Sequence, residues 1–214
     1  MHVLIHENGY YVVNTYIVIN EELKQCFIID PGEETDPLVR KIKNEGLTPK
    51  AIVCTHGHID HMEGVLELKN KFHIPFFLNE KDWDKIQHLS IEEAVNAGLP
   101  EQGVPKPDAS LPADGTIELA GMEFQLLYTP GHTVGSVSLY REKSLFCGDT
   151  LMSLSIGRTN IKGASEELLI DIIKEKFFTL PDDTTVYPGH GPVTTIAQEK
   201  RLNPFILRAS GKYK

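Results

Sequence analysis

The chain has 214 residues, 41% of them hydrophobic and 24% charged, enough apolar material for a packed core and unlike a disordered or fibrous protein. Its 30 acidic side chains against 21 basic ones give a formal net charge of −9, which argues against a nucleic-acid backbone as the main partner. Three cysteines, Cys26, Cys54 and Cys147, stand far apart in the chain; they suit a reducing compartment and are expected as small buried hydrophobes rather than a disulfide framework.

The first residues show no basic segment followed by an apolar stretch, so no secretory signal is expected. No apolar run approaches the roughly 18 residues of a spanning helix, and a cytoplasmic protein without a membrane partner is the expectation. Tyr10 to Asn20 and Lys24 to Asp30 are rich in β-branched and aromatic residues and predict two strands, with a turn at Asn20-Glu21-Glu22 and a stop at Asp30-Pro31-Gly32. Leu38, Ile42 and Leu47 follow at near-helical spacing, with Gly46 placed to end the helix. Lys50 to Thr55 predicts a short buried strand, Val65, Leu66, Leu68 and Phe72 a helix running up to His73, Ile74 to Leu78 a strand, and Glu80 to Asn96 a mostly helical stretch. Gly98 to Asp114 carries Pro100, Pro105, Pro107 and Pro112 and predicts a loop. Strands are then expected at Thr116 to Leu119, Glu123 to Tyr128, Ser136 to Tyr140 and Ser144 to Cys147. Ser165 opens a helix whose first turn holds Glu166 and Glu167 and whose apolar face would be Leu168, Leu169, Ile172 and Ile173. Thr184 to Tyr187 predicts a last strand and Thr194 to Leu202 a last helix. With no repeat and no linker, residues 1–214 read as a single domain of mixed, layered α/β (α+β) class.

The chemistry concentrates in Thr55-His56-Gly57-His58-Ile59-Asp60-His61, between a predicted strand and a predicted helix. His56 and His58 are two apart, so an extended segment turns both to one side, within reach of one metal ion. Asp60 and His61 lie where the chain turns into the helix and can face a second ion. Thr129-Pro130-Gly131-His132-Thr133, Phe146-Cys147-Gly148-Asp149-Thr150 and Tyr187-Pro188-Gly189-His190-Gly191 each place a histidine or aspartate just past a strand. Singly, such a residue is an ordinary turn residue. Jointly, His56, His58, Asp60, His61, His132, Asp149 and His190 are enough donors for two metals, whereas His2, His6, His73 and His88 fall in no motif.

His-x-His-x-Asp-His, Pro-Gly-His-Thr-x-Gly-Ser, Gly-Asp-Thr-Leu, Ser-Ile-Gly-Arg-Thr and Pro-Gly-His-Gly, in that order from about Asp30 to Phe205, resemble the metallo-β-lactamase superfamily. The nearest branch in pattern is the single-domain glyoxalase II-like (hydroxyacylglutathione hydrolase-like) group. The resemblance implies a four-layer αβ/βα sandwich with the metals at one edge of the sheets. It implies His56, His58 and His132 as ligands of one metal, Asp60, His61 and His190 as ligands of the other, and Asp149 as the bridge. It casts Asp30 as the partner that orients a ligand imidazole. Two divalent ions are implied, zinc first, with iron or manganese also suited to histidine and carboxylate.

The implied reaction is hydrolysis of a small-molecule thioester, hydroxyacyl-glutathione or a related thiol ester, with Asp60 also orienting the attacking water. The glutathione contacts of two-domain relatives are less well matched. Gly157-Arg158-Thr159-Asn160 keeps a cation at Arg158, a candidate for pairing a substrate carboxylate, but lacks their tyrosine. Gly191-Pro192 replaces their Glu-Tyr pair, and their C-terminal helical domain is not expected. The same site would also serve a lactonase or β-lactam hydrolase. A persulfide dioxygenase-like oxidoreductase would use one iron held by His56, His132 and Asp149.

Overall fold

The computed structural model describes residues 1–99, 101 and 103–211. β1 (His2–Asn8), β2 (Val13–Asn20) and β3 (Gln25–Ile29) pair antiparallel in chain order. Successive side chains of a strand point to opposite faces. In β2, Tyr16 and Val18 enter one apolar cluster while Ile17 and Ile19 enter another; in β3, Phe27 and Ile29 part in the same way from Cys26 and Ile28. Both faces of this sheet are therefore buried, which is why its strands read as nearly continuous apolar runs. After α1 (Thr35–Asn44), β4 (Thr48–Val53) lies parallel to β3. α2 (Val65–Phe72), β5 (Phe76–Leu78), α3 (Glu80–Ile86), α4 (Ile91–Asn96) and β6 (Ala109–Ser110) follow, and β5 and β6 extend the sheet in parallel.

The second half repeats the plan. β7 (Gly115–Leu119), β8 (Met122–Tyr128), β9 (Val137–Arg141) and β10 (Ser144–Gly148) form an antiparallel meander. A small hairpin, β11 (Leu151–Met152) with β12 (Ser155–Ile156), precedes α5 (Glu166–Ile172), which runs into a π turn at Ile173–Phe177. β13 (Thr185–Pro188) lies parallel to β10, β14 (Thr194–Thr195) closes the edge, and α6 (Ile196–Leu202) and α7 (Pro204–Ala209) end the fold. Tyr16, Phe27, Phe124 and Phe146 fill the space between the two sheets. Leu38, Ile42, Val65 and Leu68 pack helices onto the first sheet, and Leu169, Ile173, Ile196 and Ile206 pack helices onto the second. The layers are αβ/βα, as expected. Among the described residues no helix is long and apolar enough to cross a membrane.

Several elements differ from expectation. Tyr10 to Val12 form an exposed turn rather than strand, with Val12 at φ 55°, so β2 begins at Val13. The stretch from Glu80 to Asn96 is two helices, because Ser90 caps a fresh start by a capping box with Glu93. Leu168 is exposed, and the buried face of α5 is Leu169 and Ile170, continued by Ile173 and Phe177 of the π turn. The two-residue β6 lies within the predicted loop of 98–114, where Pro100 falls outside the described residues. The three cysteines are buried and unpaired, as expected.

Candidate metal centre

Five strand ends carry the site. Asp30 follows β3, Thr55 to His61 follow β4, His132 follows β8, Asp149 follows β10 and His190 follows β13. Backbone hydrogen bonds stitch these loops together: Val137 N–H to Thr55 O at 2.9 Å and Asn14 N–H to Gly189 O at 2.7 Å cross between the sheets, and Gly189 N–H to Gly148 O at 2.8 Å joins neighbouring strands of the second. Asn14 Nδ2 also donates to Pro188 O at 3.0 Å and to Gly191 O at 2.7 Å, and the Tyr16 hydroxyl donates to Pro188 O. The loop bearing His190 is thus pinned to β2.

All seven residues expected as ligands come together. His56, His58, His132 and Asp149 form one group, and Asp60, His61 and His190 another, each with donor atoms within 4.8 Å of one another. Facing ring nitrogens nearly touch: His56 Nε2 to His58 Nδ1 at 3.1 Å, His132 Nε2 to His58 Nδ1 at 2.9 Å and His61 Nε2 to His190 Nε2 at 3.2 Å. The outer nitrogens decide what these inner ones are. His132 Nδ1 faces Arg158 O at 2.9 Å, and His190 Nδ1 faces Tyr11 O at 3.0 Å, so both donate outward. Thr55 Oγ1 donates to Asp30 Oδ2 at 2.7 Å and so accepts from His56 Nδ1 at 3.1 Å. His61 Nδ1 faces Asp30 Oδ2 at 3.1 Å. With the outer nitrogens of His56, His61, His132 and His190 turned to oxygen partners, their inner nitrogens converge on the centre, an arrangement suited to a cation between them.

Asp149 makes the same point. It is 9% exposed, yet among the described residues its carboxylate accepts no hydrogen bond. Instead Oδ2 lies 3.4 Å from His132 Nε2 and 3.7 Å from His190 Nε2, and Oδ1 lies 3.6 Å from His61 Nε2. It therefore faces both groups. A nearly buried, unpartnered carboxylate is costly unless an ion sits beside it. Imidazole and carboxylate oxygen are donors that suit zinc, iron or manganese. The residues fit a pair of divalent ions. Asp30, His56 and His61 also cluster, but Asp30 is already engaged by the Thr55 N–H and hydroxyl, each at 2.7 Å, and by His61. Asp30 thus lies on the outer side of His61, with Oδ2 3.1 Å from Nδ1.

Burial and neighbouring imidazoles hold His56 well below the usual histidine range and bring His58 to about 4; burial also lowers His132. Against complete burial, Asp149 and Asp30 lift His61 to about 9, and against its own burial Asp60 and Asp149 lift His190. Despite desolvation, His190 and His61 hold Asp60 below the carboxylate range. The lowered histidines stabilise the fold above their unfolded pKa of about 6.5 and lose that contribution as pH falls toward 4. His61 stabilises below about 6.5 and loses that contribution as pH rises through about 9. Chelator-treated protein is therefore expected to reach its highest unfolding temperature near pH 6.5. A melting temperature that climbs steadily from pH 4 to 9.5 would contradict these assignments.

Close approach explains Gly189. A Cβ there would lie 2.2 Å from Asp149 Oδ1 and 2.7 Å from His61 Cε1. Gly189→Ala is expected to displace Asp149 and to weaken metal retention by ~100-fold, a loss of the size seen when ligand orientation is disturbed. Equilibrium dialysis against a chelator measures it.

Arg158 is only partly where expectation put it. Its carbonyl holds His132, while its side chain is exposed and makes no ion pair among the described residues. Sequence reasoning missed Asn14, Tyr16 and Asp82, which hold the loops. The first two read as ordinary strand residues, and Asp82 reads as an acid in the first turn of a helix. His2, His6, His73 and His88 lie outside both donor groups.

The sequence profile of the metallo-beta-lactamase superfamily matches residues 8–190. The chain belongs to the metallo-β-lactamase superfamily. It is 38% identical over 197 residues to the probable metallo-hydrolase YqgX of Bacillus subtilis, covering 90% of this chain and 92% of that one. It is 38% identical over 193 residues to the hydroxyacylglutathione hydrolase GloC of Haemophilus influenzae, covering 88% and 91%. Among solved structures, BLEG-1 B3 metallo-beta-lactamase superposes with a TM-score of 0.86 at 36% identity over 96% of this chain and 99% of that one. TTHA1623 in a di-iron-bound form gives 0.80 at 35% identity over 95% and 100%. A metallo-β-lactamase fold with a histidine and aspartate cluster is the setting of divalent-metal chemistry.

Proposed function

We propose that this metallo-β-lactamase-superfamily protein is a binuclear metal-dependent thioesterase acting on hydroxyacyl-glutathione or a related small-thiol ester, with zinc as the metal. The observation that carries the reading is the convergence of five imidazoles and the nearly buried Asp149 on one centre. The likeness to GloC supports the substrate class.

When bound, the ion pair supplies Lewis acidity and a water acidified toward neutral pH. The protein supplies orientation. His56, His58 and His132 with Asp149 would hold one ion, and Asp60, His61 and His190 with Asp149 the other. His190 and His61 favour the ionised form of Asp60, which would accept the O–H of an attacking water and orient it. A thiolate leaves without full protonation, so no dedicated acid is required. Cys54 and Cys147 are not nucleophiles here, because burial raises both thiols and each sulfur turns to a backbone carbonyl.

A cavity of about 460 Å³ opens beside His58 and His132. Ile86, Val134 and Ile161 give it apolar walls, and Lys85 and Lys162 stand on its rim. Apolar walls with ammonium groups suit an acyl chain on an anionic thiol carrier. Arg158, exposed on the neighbouring loop, is a further candidate to pair a substrate carboxylate. The likeness to BLEG-1 favours β-lactam hydrolysis as the second reading.

The test is hydrolysis of S-D-lactoylglutathione by protein of measured metal content. Robust turnover supports the thioesterase. No turnover by protein carrying two metals sinks the glutathione reading, and turnover of a β-lactam instead would favour the second. One iron per chain with consumption of oxygen and a persulfide would replace the hydrolase with an oxidoreductase.

A further inference from the structure

Asp82, in the first turn of α3, lies outside every motif of the metal centre and is 3% exposed. Its Oδ2 accepts from Gly57 N–H at 2.8 Å and from the Thr133 hydroxyl at 2.7 Å. Its Oδ1 accepts from Gly135 N–H at 2.7 Å. Gly57 stands between His56 and His58, and Thr133 follows His132. One carboxylate therefore bridges the loop after β4 and the loop after β8, which come from different sheets. Packing there leaves no slack: a Cβ on Gly135 would lie 2.6 Å from the Asp82 carboxyl carbon. The backbone bond from Val137 to Thr55 ties the bases of these loops, and Asp82 ties the stretches that carry the imidazoles.

The other half of the centre is held differently. Asp30 faces His61, and Asn14 with Tyr16 pins the loop bearing His190. Asp82 touches none of these.

We propose that Asp82 is a positioning residue for the His56, His58 and His132 half of the centre, fixing the spacing of its two loops so that this half binds metal pre-formed while the other half does not depend on it. The proposal rests on the binuclear reading above. Asp82→Asn keeps the shape but turns an NH2 toward a backbone N–H, which cannot become an acceptor, so one tie is replaced by repulsion.

The experiment is chelator competition on the full chain loaded with two zinc ions, comparing the wild type with Asp82→Asn, Thr133→Val and the exposed control Asp84→Asn. The expected result for Asp82→Asn is a 10–100-fold weaker affinity for one zinc with the other unchanged. Thr133→Val, which removes one donor and leaves the carboxylate, is expected to give a smaller loss at the same zinc, and it carries the test if Asp82→Asn does not fold. Cobalt substitution adds a spectroscopic readout, with altered absorption for one of two cobalt ions. Unchanged affinities, or equal weakening of both zincs together with a lower unfolding temperature, would overturn the proposal and leave Asp82 a general brace. A wild type that binds no metal would overturn the centre itself, a distinguishable failure.

Discussion

Asp149→Ala is expected to remain folded and to lose hydrolysis by ~10³-fold or more, the several kcal/mol that metal-assisted polarisation and water activation supply. Folding survives because the Asp149 side chain has no hydrogen bond to lose among the described residues; it faces ring nitrogens at 3.4 to 3.7 Å. Removing it spares a buried anion its desolvation cost, so chelator-treated variant and wild type should melt within a few degrees of each other. Metal retention should fall at both halves, since Asp149 faces His132 on one side and His61 and His190 on the other. Metal content after dialysis, with melting curves of chelated protein, checks this. A variant that keeps two metals, or one that fails to fold, would contradict it.

Asp30→Asn is expected to have the largest effect on stability. Asp30 is 1% exposed and sits at φ 50°, a left-handed conformation that asparagine tolerates, so the substitution isolates the charge. The carboxylate faces three donors: the Thr55 N–H, the Thr55 hydroxyl and His61 Nδ1. An amide cannot serve all three. Leaving one buried donor unsatisfied and removing a charge partner costs about 3 kcal/mol. For a chain of this size that corresponds to a drop of roughly 10 °C in melting temperature. The functional effect follows from the tautomer. With an NH2 opposite Nδ1, His61 is expected to place its proton on Nε2, the atom that faces His190, and so to lose its lone pair toward the centre. Metal loss should then be largest in the Asp60, His61 and His190 half, with a smaller loss at His56, whose partner Thr55 loses the same acceptor. Calorimetry and zinc competition measure the two effects separately, and a variant that melts like the wild type would contradict the account.

Much of this centre was legible because its residues combine local spacing with strand ends. His56 and His58 share a side of one extended segment, and His132, Asp149 and His190 each follow a strand that the apolar pattern marks. Parallel strands put such ends at one edge, which is how residues as distant as Asp30 and His190 meet. The supporting residues were not legible, because their roles depend on contacts between sheets. Asn14 and Tyr16 look like any alternating strand residues, yet they hold the Pro188 to Gly191 loop. Asp82 looks like helix-start chemistry and acts across two loops instead. Short pairings such as β6 and the β11–β12 hairpin carry too few residues for a periodic signal. The apolar face of α5 was misplaced because Leu168, Leu169, Ile170, Ile172 and Ile173 offer more than one apolar stripe at helical spacing; the buried one runs through Leu169, Ile170, Ile173 and Phe177 and leaves Leu168 exposed.

The central claim is that one chain holds two divalent ions in adjoining donor sets bridged by Asp149. Anomalous diffraction from a crystal of protein loaded with zinc tests it most directly. The account predicts two peaks, one among His56, His58 and His132 and one among Asp60, His61 and His190, with Asp149 between them. A single peak, or none at these residues, would contradict it.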